Sequence, residues 1–330
     1  MDQLNNLPRV LGVGNALVDV IVQLENEKVL QEFGLLRGSM TLVDADLSDK
    51  IDEATSLLKK EMSTGGSVAN TMRTLTNMGA NCGYMGKIGK DDLGKLFKDE
   101  FEKKSIKTHL LTSETNTGRV MGMVSPDSER TMATFLGAAV ELNAQDFSTS
   151  IFEGYDYLYM EGYLVQNHEL IKTGVEMAKK MGLKVAIDLS SFNVVEENLD
   201  FLTALVKNSV DIVFANEEEA ASFTGKEPEE ALDVIADMCE IAIVKVGKDG
   251  SFIKKGDRKY YIEPVLAKAI DTTGAGDSYA AGFFYGLTCG YELQKCGDIA
   301  AYVSSKVVEV MGANLPDNSW TSINRRIQEL

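Results

Sequence analysis

The chain predicts an α/β fold: a doubly wound, mostly parallel sheet with helices on both faces, plus a small β-sheet lid. Three observations lead there. Short apolar runs rich in Val and Ile alternate with amphipathic helical stretches over most of the 330 residues. Two regions, 18–43 and 108–136, break that rhythm with short alternating strands. One stretch near the C-terminus, DTTGAGDSYAAGF (271–283), strips its side chains away just before an aspartate, at the mouth of an apolar helix.

Taken in order, the strands of the main sheet are expected at 10–13, 82–88, 157–160, 185–189, 212–215 and 241–246, often bounded by Gly, Asp or Asn. Between them, 67–78 places Val68, Met72, Leu75 and Met78 on one helical face, with Gly79 as a stop. Similar patterns predict helices at 93–101, 168–181, 199–206, 217–223 and 229–238. Strand–helix alternation at this spacing argues a parallel sheet covered on both sides. VIVQL, SMTLV, RVMGMVS and RTMATFLG would make the small sheet, built from insertions at about 16–45 and 108–137 into one domain spanning 1–330. There is no repeat, low-complexity segment or linker, and five prolines suit one compact unit.

Composition narrows the function. At 44% hydrophobic and 25% charged residues the chain reads as a soluble globular protein. MDQLNNLPRV has no basic n-region and no long apolar run, and nowhere do eighteen apolar residues follow one another. A cytoplasmic protein with no membrane association is therefore expected. Cys82, Cys239, Cys289 and Cys296 form no CxxC pair and read as free thiols. His109 and His168 are the only histidines, which argues against a His-rich metal site and points to a carboxylate as any general base. A net charge of −17 repels nucleic acid and anionic membranes. A bound phosphate must then be held by backbone dipoles, one or two placed cations, or a metal.

Two motifs mislead. GKDDLGKL (89–96) nearly matches a phosphate loop, but Leu96 stands where the magnesium hydroxyl belongs and two aspartates lie inside it. It reads as a polar turn opening a helix. GVGNAL (12–17) starts like a dinucleotide fingerprint, but the third glycine is missing and a strand follows.

The stretch 271–283 does not mislead. Apolar residues at 280, 283, 284 and 287 share one face, so a buried helix starts near Asp277, and Gly290 can end it. The amides of 274–277 are then unpaired donors at a positive dipole end. Gly274, Ala275 and Gly276 let a bulky anion approach them. The plain alternative is a glycine turn with an acidic cap, yet a cap does not need Gly-Ala-Gly before it. An anion hole beside a carboxylate suits phosphoryl transfer to an alcohol: the hole holds the γ-phosphate and the aspartate accepts the hydroxyl proton.

The sequence here resembles the ribokinase-like (PfkB-type) carbohydrate and nucleoside kinases. The resemblance runs from about Val10 to Pro316 and rests on TGGSVANTMRTLTNMGANCGYMGKIGKDDLG (64–94) and DTTGAGDSYAAGFFYGL (271–287). It implies MgATP as donor, Asp277 as general base and an anion hole at 274–277. It also implies sugar contacts from Asp19, Gly65, Gly66 and Asn70. The plain alternatives are a turn residue at Asp19 and an exposed residue in the first helical turn at Asn70. In ANEEEA, Asn216 and Glu219 match the family's NxxE motif, linked to magnesium and phosphate placement; read alone, they are an acidic helix start. In KVGKDG, Lys245 and Gly247 match a loop near the ATP phosphates; read alone, a β-turn. Asp271 and Thr273 match part of a loop for a monovalent cation such as K+. GNALVD, with Asn15 and Leu17, and SERTMATFLGAA, with Arg130 at the lid edge, resemble the adenosine kinase branch, especially its bacterial members. Leu17, Phe135 and Leu136 would give an apolar wall for a base, or else a core for the lid itself. A nucleoside acceptor, adenosine first, is expected. A free sugar such as ribose or fructose is the alternative, and a ligand-binding homologue without catalysis is the third reading. The chain is expected to be a monomer or a lid-mediated homodimer.

Overall fold

A computed structural model describes residues 9–127 and 129–330. The N-terminal reading at 1–8, and Ser128 in SERTMATFLGAA, lie outside the described residues. The strands are β1 (Val10–Val13), β2 (Leu17–Gln23), β3 (Met40–Leu42), β4 (Lys60–Gly65), β5 (Cys82–Gly89), β6 (Lys107–Ser113), β7 (Gly118–Val124), β8 (Arg130–Phe135), β9 (Tyr157–Glu161), β10 (Lys184–Asp188), β11 (Ile212–Asn216), β12 (Ile241–Lys245), β13 (Ser251–Lys255) and β14 (Arg258–Ile262).

They form a nine-stranded sheet in the order β14-β13-β12-β11-β10-β9-β1-β5-β6 and a five-stranded sheet in the order β3-β8-β7-β2-β4. In the large sheet β1 lies parallel between β5 and β9, and only the pairings of β12 with β13 and of β13 with β14 are antiparallel. Alternate residues of its strands point to opposite faces, as the pleat requires. Val10, Tyr159, Phe214 and Ile243 join one buried core, while Leu11, Leu158, Val213 and Val244 join the other. Helices cover both faces, so these strands read as continuous apolar runs. The strand order reverses at β1, which opens a crevice at the carboxyl ends of the strands.

The main-sheet strands and the central helices fall where the sequence places them, within a residue or three. The helix expected from 67 runs Ser67–Asn77, and Gly79 beyond it has φ +98°. The helix expected from about 277 begins two residues earlier and runs Ala275–Thr288. GKDDLGKL is a polar turn: Asp91 caps the helix Asp92–Lys103 through Gly94 N, 2.8 Å away. Among the described residues no helix is long and apolar enough to cross a membrane.

Four features differ from the sequence reading. β6, within the span expected for the second insertion of the small sheet, instead pairs parallel with β5 in the large sheet. Alternation marks a strand but not its partner. β4 (KEMSTG) pairs antiparallel with β2; its polar residues hid it. The region 18–43 also contains a short helix, Lys28–Glu32. Phe135 lies opposite Arg119, whereas Leu17, Val120 and Thr134 share the other face, so the register turns Phe135 away from the apolar wall.

The helix Ala275–Thr288 is seated by Phe283 and Phe284, both fully buried, with Phe284 5.1 Å from the Tyr159 ring. Phe284→Ala should cost about 3–5 kcal/mol through lost burial and a residual cavity. Urea unfolding monitored by circular dichroism checks this; a loss under about 1 kcal/mol would mean the helix is held some other way.

Candidate active site

A cavity of about 1490 Å³ lies between the two sheets, larger than a pocket for one small ligand and wide enough for two. Its floor is the carboxyl ends of β1, β9, β10, β11 and β12, and its roof is the small sheet. Of the residues singled out from sequence for a binding or catalytic role, Gly65, Phe135, Asp271 and Gly274 do not line it, and the others do.

Asp277 lies in the first turn of the helix Ala275–Thr288. Its carboxylate accepts hydrogen bonds from Ser67 Oγ at 2.7 Å and Asn70 Nδ2 at 2.9 Å. Both donors come from the first turn of the helix Ser67–Asn77, so two helix N-termini converge on one carboxylate. Burial pushes Asp277 up to about 6, against the pull of these two bonds. Gly274 before it has φ +77°, and a Cβ there would stand 2.4 Å from Ala313 Cβ, so the turn requires glycine. Of the four amides expected to be free, that of Ala275 is turned to Thr272 O at 3.1 Å. Among the described residues the N–H groups of Gly274, Gly276 and Asp277 have no acceptor. Lys245 Nζ would lie 3.3 Å from a Cβ at Gly276, so a buried ammonium flanks them.

Behind Asn70 stands a cation that the sequence reading missed. Arg73, buried, donates to Asn70 Oδ1 at 2.7 Å and to Thr64 O at 2.7 Å. With its oxygen held by Arg73, Asn70 can turn only its NH₂ to Asp277. Burial lowers Arg73 to about 10, still charged at neutral pH. The residue after Thr64 is Gly65, where a Cβ would stand 2.5 Å from Asp19 Oδ1; the strand needs glycine for that carboxylate to fit. Burial raises Asp19, while Arg130 and Arg73 pull it down.

Glu161, at the end of β9, was also missed. It accepts from Asn15 N at 2.9 Å, Asn15 Nδ2 at 2.6 Å and Val68 N at 3.2 Å. Burial pushes it up to about 7. Asn15 is thus held from behind.

The far end of the cavity is acidic. Asn216 and Glu219 form a reciprocal capping box, with Glu219 N on Asn216 Oδ1 and Asn216 N on Glu219 Oε2, each 2.8 Å. The structural reading of this pair therefore holds, and Glu219 borders the cavity as well. Burial and the charge of Asp188 raise Glu219 to about 7. Asp188, at the end of β10, accepts from Ser190 N at 2.8 Å and Lys245 Nζ at 3.1 Å. Two carboxylates at one end of the cavity suit a divalent cation. Among the described residues no group of three or more ligating side chains converges as a full cage. A magnesium ion here would take one or two carboxylates and complete its shell from phosphates and water, as that ion prefers. Gly247 turns the loop after β12 with φ +56°.

Arg130 borders the cavity and also makes an ion pair. Its Nη1 lies 3.2 Å from Asp271 Oδ2 and 3.2 Å from Thr273 Oγ1. Arg130, singled out as an acceptor contact, thus forms one cluster with Asp271 and Thr273, singled out for a cation. Ser67, Glu161 and Asp188 escaped the sequence reading because Asp277, Asn15 with Val68, and Lys245 lie far from them in the chain, and Arg73, whose partners Thr64 and Asn70 are near, looked like an ordinary helical cation. The available signal was the i, i+3 spacing of Asn70 and Arg73 on the side of the helix away from Val68, Met72 and Leu75.

Comparison with known proteins agrees with this geometry. Residues 38–320 match the model of the pfkB family carbohydrate kinases. A probable sugar kinase from Rhizobium etli CFN 42 is 32% identical, with 98% of each chain covered and a TM-score of 0.85. An adenosine kinase from Sinorhizobium meliloti is 31% identical, with 97% of this chain and 99% of that one covered, also at 0.85. Adenosine kinase 2 of Arabidopsis thaliana is 24% identical, covering 93% of this chain and 96% of its own. Kinases of this family use ATP and typically magnesium. This chain belongs to the pfkB family of carbohydrate kinases: it is a phosphotransferase with an alcohol group as acceptor, acting on a nucleoside or a sugar.

Proposed function

We propose that the protein transfers the γ-phosphate of ATP to the hydroxymethyl group of a nucleoside, adenosine first. The observation that carries this reading is Asp277, held by Ser67 and Asn70 beside three free amides at the mouth of a helix. The acceptor hydroxyl lies against the Asp277 carboxylate and gives it its proton. The acceptor oxygen bonds to the γ-phosphorus, and the bond from that phosphorus to the β–γ bridging oxygen breaks, leaving ADP. The amides of Gly274, Gly276 and Asp277, with Lys245, hold the negative charge on the transferred group. Magnesium entering with the nucleotide would neutralise phosphate charge, held by Asp188 and Glu219. Asp19 accepts two hydrogen bonds from vicinal hydroxyls and so aligns the hydroxymethyl arm. The small sheet acts as the lid over the acceptor.

The nucleoside preference rests on the roof. Leu17, Val120 and Ala139 pack with Met132 and Leu136 into a small apolar cluster that faces the cavity. Tyr163, 39% exposed, presents a ring to the same space. An apolar wall and an aromatic face suit a flat base better than a sugar hydroxyl. The likeness to the Sinorhizobium meliloti adenosine kinase supports this choice, and the equal likeness to the Rhizobium etli sugar kinase keeps a free sugar as the second reading.

Four outcomes are expected. A proton acceptor must be deprotonated, so kcat should rise with pH through about 6 and level off above it. Asp277→Asn should lower kcat by about 10²–10⁴ with the melting temperature little changed; near-wild-type kcat would remove Asp277 from the mechanism. Next, kcat/KM for adenosine should exceed that for inosine, ribose and fructose, whereas a free sugar ahead of every nucleoside by tenfold would reverse the assignment. Finally, Asp19→Ala should raise the acceptor KM, since charged hydrogen bonds contribute roughly 1.5–3 kcal/mol each. Deoxy acceptors should lose less from this change than their parents, and equal losses would exclude Asp19 as the hydroxyl partner.

A further inference from the structure

We infer that the guanidinium of Arg130, carried on the small sheet, is the fixed cation that shapes the loop before the anion hole, in place of a dissociable monovalent cation. The inference rests on the proposed kinase reading for its catalytic consequence, but not for its structural one.

The loop in question is 271–274, which ends at the N-cap of the Asp277 helix. A carboxylate has about four acceptor positions, and Asp271 uses all of them. Oδ1 accepts from Thr273 N at 2.9 Å and Thr273 Oγ1 at 2.7 Å. Oδ2 accepts from Gly312 N at 2.8 Å and Arg130 Nη1 at 3.2 Å. Thr273 Oγ1, the other side-chain oxygen a cation would use, already accepts from Arg130 Nη1 at 3.2 Å. The backbone is tied on the remaining side, with Ile270 N and Asp271 N both directed to Val308 O. A potassium ion at Asp271 and Thr273 would displace one of these donors and would sit beside a fixed positive charge. The residues present do not fit it.

The guanidinium is seated rather than swept across the site. The side chains of Arg130 and Asp271 are only 12% and 13% exposed, so their attraction is weakly screened. A Cβ at Gly122 of β7 would stand 3.1 Å from Arg130 Nε and 3.2 Å from Nη2, so the neighbouring strand carries a glycine where the guanidinium lies across it. Nε has no acceptor among the described residues. The contacts through Nη1 are therefore those that hold the group. Because Arg130 begins β8 and Asp271 opens the turn into the helix Ala275–Thr288, the ion pair also fastens the small sheet to the loop that forms the anion hole. Arg130 is a positioning residue in this account.

The test compares potassium, sodium and tetramethylammonium chlorides at equal ionic strength, reading both melting temperature and turnover of the best acceptor. For the wild-type protein both should agree within twofold in turnover and within about one degree in melting. Arg130→Gln should lose at least tenfold in turnover in tetramethylammonium. Potassium or guanidinium should restore at least threefold of this and raise its melting temperature. Arg130→Lys should keep the wild-type indifference to potassium, which separates loss of charge from misfolding. Asp271→Asn combined with Arg130→Gln should abolish the potassium response. A wild-type protein activated or stabilised severalfold by potassium would overturn the inference, as would an Arg130→Gln variant with no response to any cation. If no acceptor is turned over, the kinase reading fails while the melting comparison still decides the role of Arg130.

Discussion

The site depends on one costly placement: a carboxylate, Asp277, half-buried where the N-termini of two helices meet. An ionised carboxylate loses several kcal/mol of hydration on burial unless charged hydrogen bonds replace it. Ser67 Oγ and Asn70 Nδ2 supply two, and the unpaired amides of the helix Ala275–Thr288 supply a positive dipole end. These donors come from segments about two hundred positions away in sequence, so the carboxylate is held only when the two helices pack together. Arg73 extends the dependence. It fixes the oxygen of Asn70 and the carbonyl of Thr64, and Thr64 leads into the glycine that makes room for Asp19. Asp277 and Asp19 are thereby joined through one buried guanidinium, across the boundary between helix and small sheet.

Charge around the cavity is unbalanced in a useful direction. Arg73, Arg130 and Lys245 face Asp19, Glu161, Asp188, Glu219, Asp271 and Asp277. Asp19, Glu161, Glu219 and Asp277 are all raised, chiefly by burial. Asp271 alone is lowered, because its hydrogen bonds and Arg130 outweigh its own burial. The two kinds of carboxylate do different work: the lowered one is spent on holding a loop, and the raised ones line the space where substrates bind. A nucleotide triphosphate entering this field must bring positive charge with it. The free amides beside Asp277 then matter more than any basic patch, as the chain's overall charge of −17 already implied.

What could be read from the sequence follows from how local each feature is. The helix at Asp277 was legible because its signals are adjacent: small residues, a carboxylate, then apolar positions at helical spacing. The parallel sheet was legible because strands buried on both faces are apolar throughout. β4 was not, since Lys60, Glu61 and Ser63 carry no strand signal and its pairing with β2 alone makes it a strand. β6 lay inside the span given to the small sheet and was not named as a strand of its own, and nothing local shows that it pairs with β5. Arg73 looked like an ordinary helical cation; its burial depends on packing against β4. Glu161 ended a plain apolar strand, and nothing near it in sequence shows that Asn15 and Val68 close around it. Local rules thus located the turn at Asp277, while the residues that orient it are long-range.

The direction in which Asp277 is tuned follows from that orientation. A helix N-terminus alone would lower a carboxylate below its ordinary value of 3.8, leaving it ionised but weakly basic. Here burial outweighs the dipole and both hydrogen bonds, and carries the group to about 6. That is a gain of roughly a hundredfold in basicity, with most molecules still ionised at neutral pH. General-base efficiency is greatest when the pKa lies just below the working pH. The donors cannot be made stronger without losing this: a cation in direct contact in place of Ser67 would hold the proton off but leave a poor acceptor. The neutral hydroxyl of Ser67 and the neutral amide of Asn70, with the charge of Arg73 kept one residue behind, position the carboxylate without discharging its basicity.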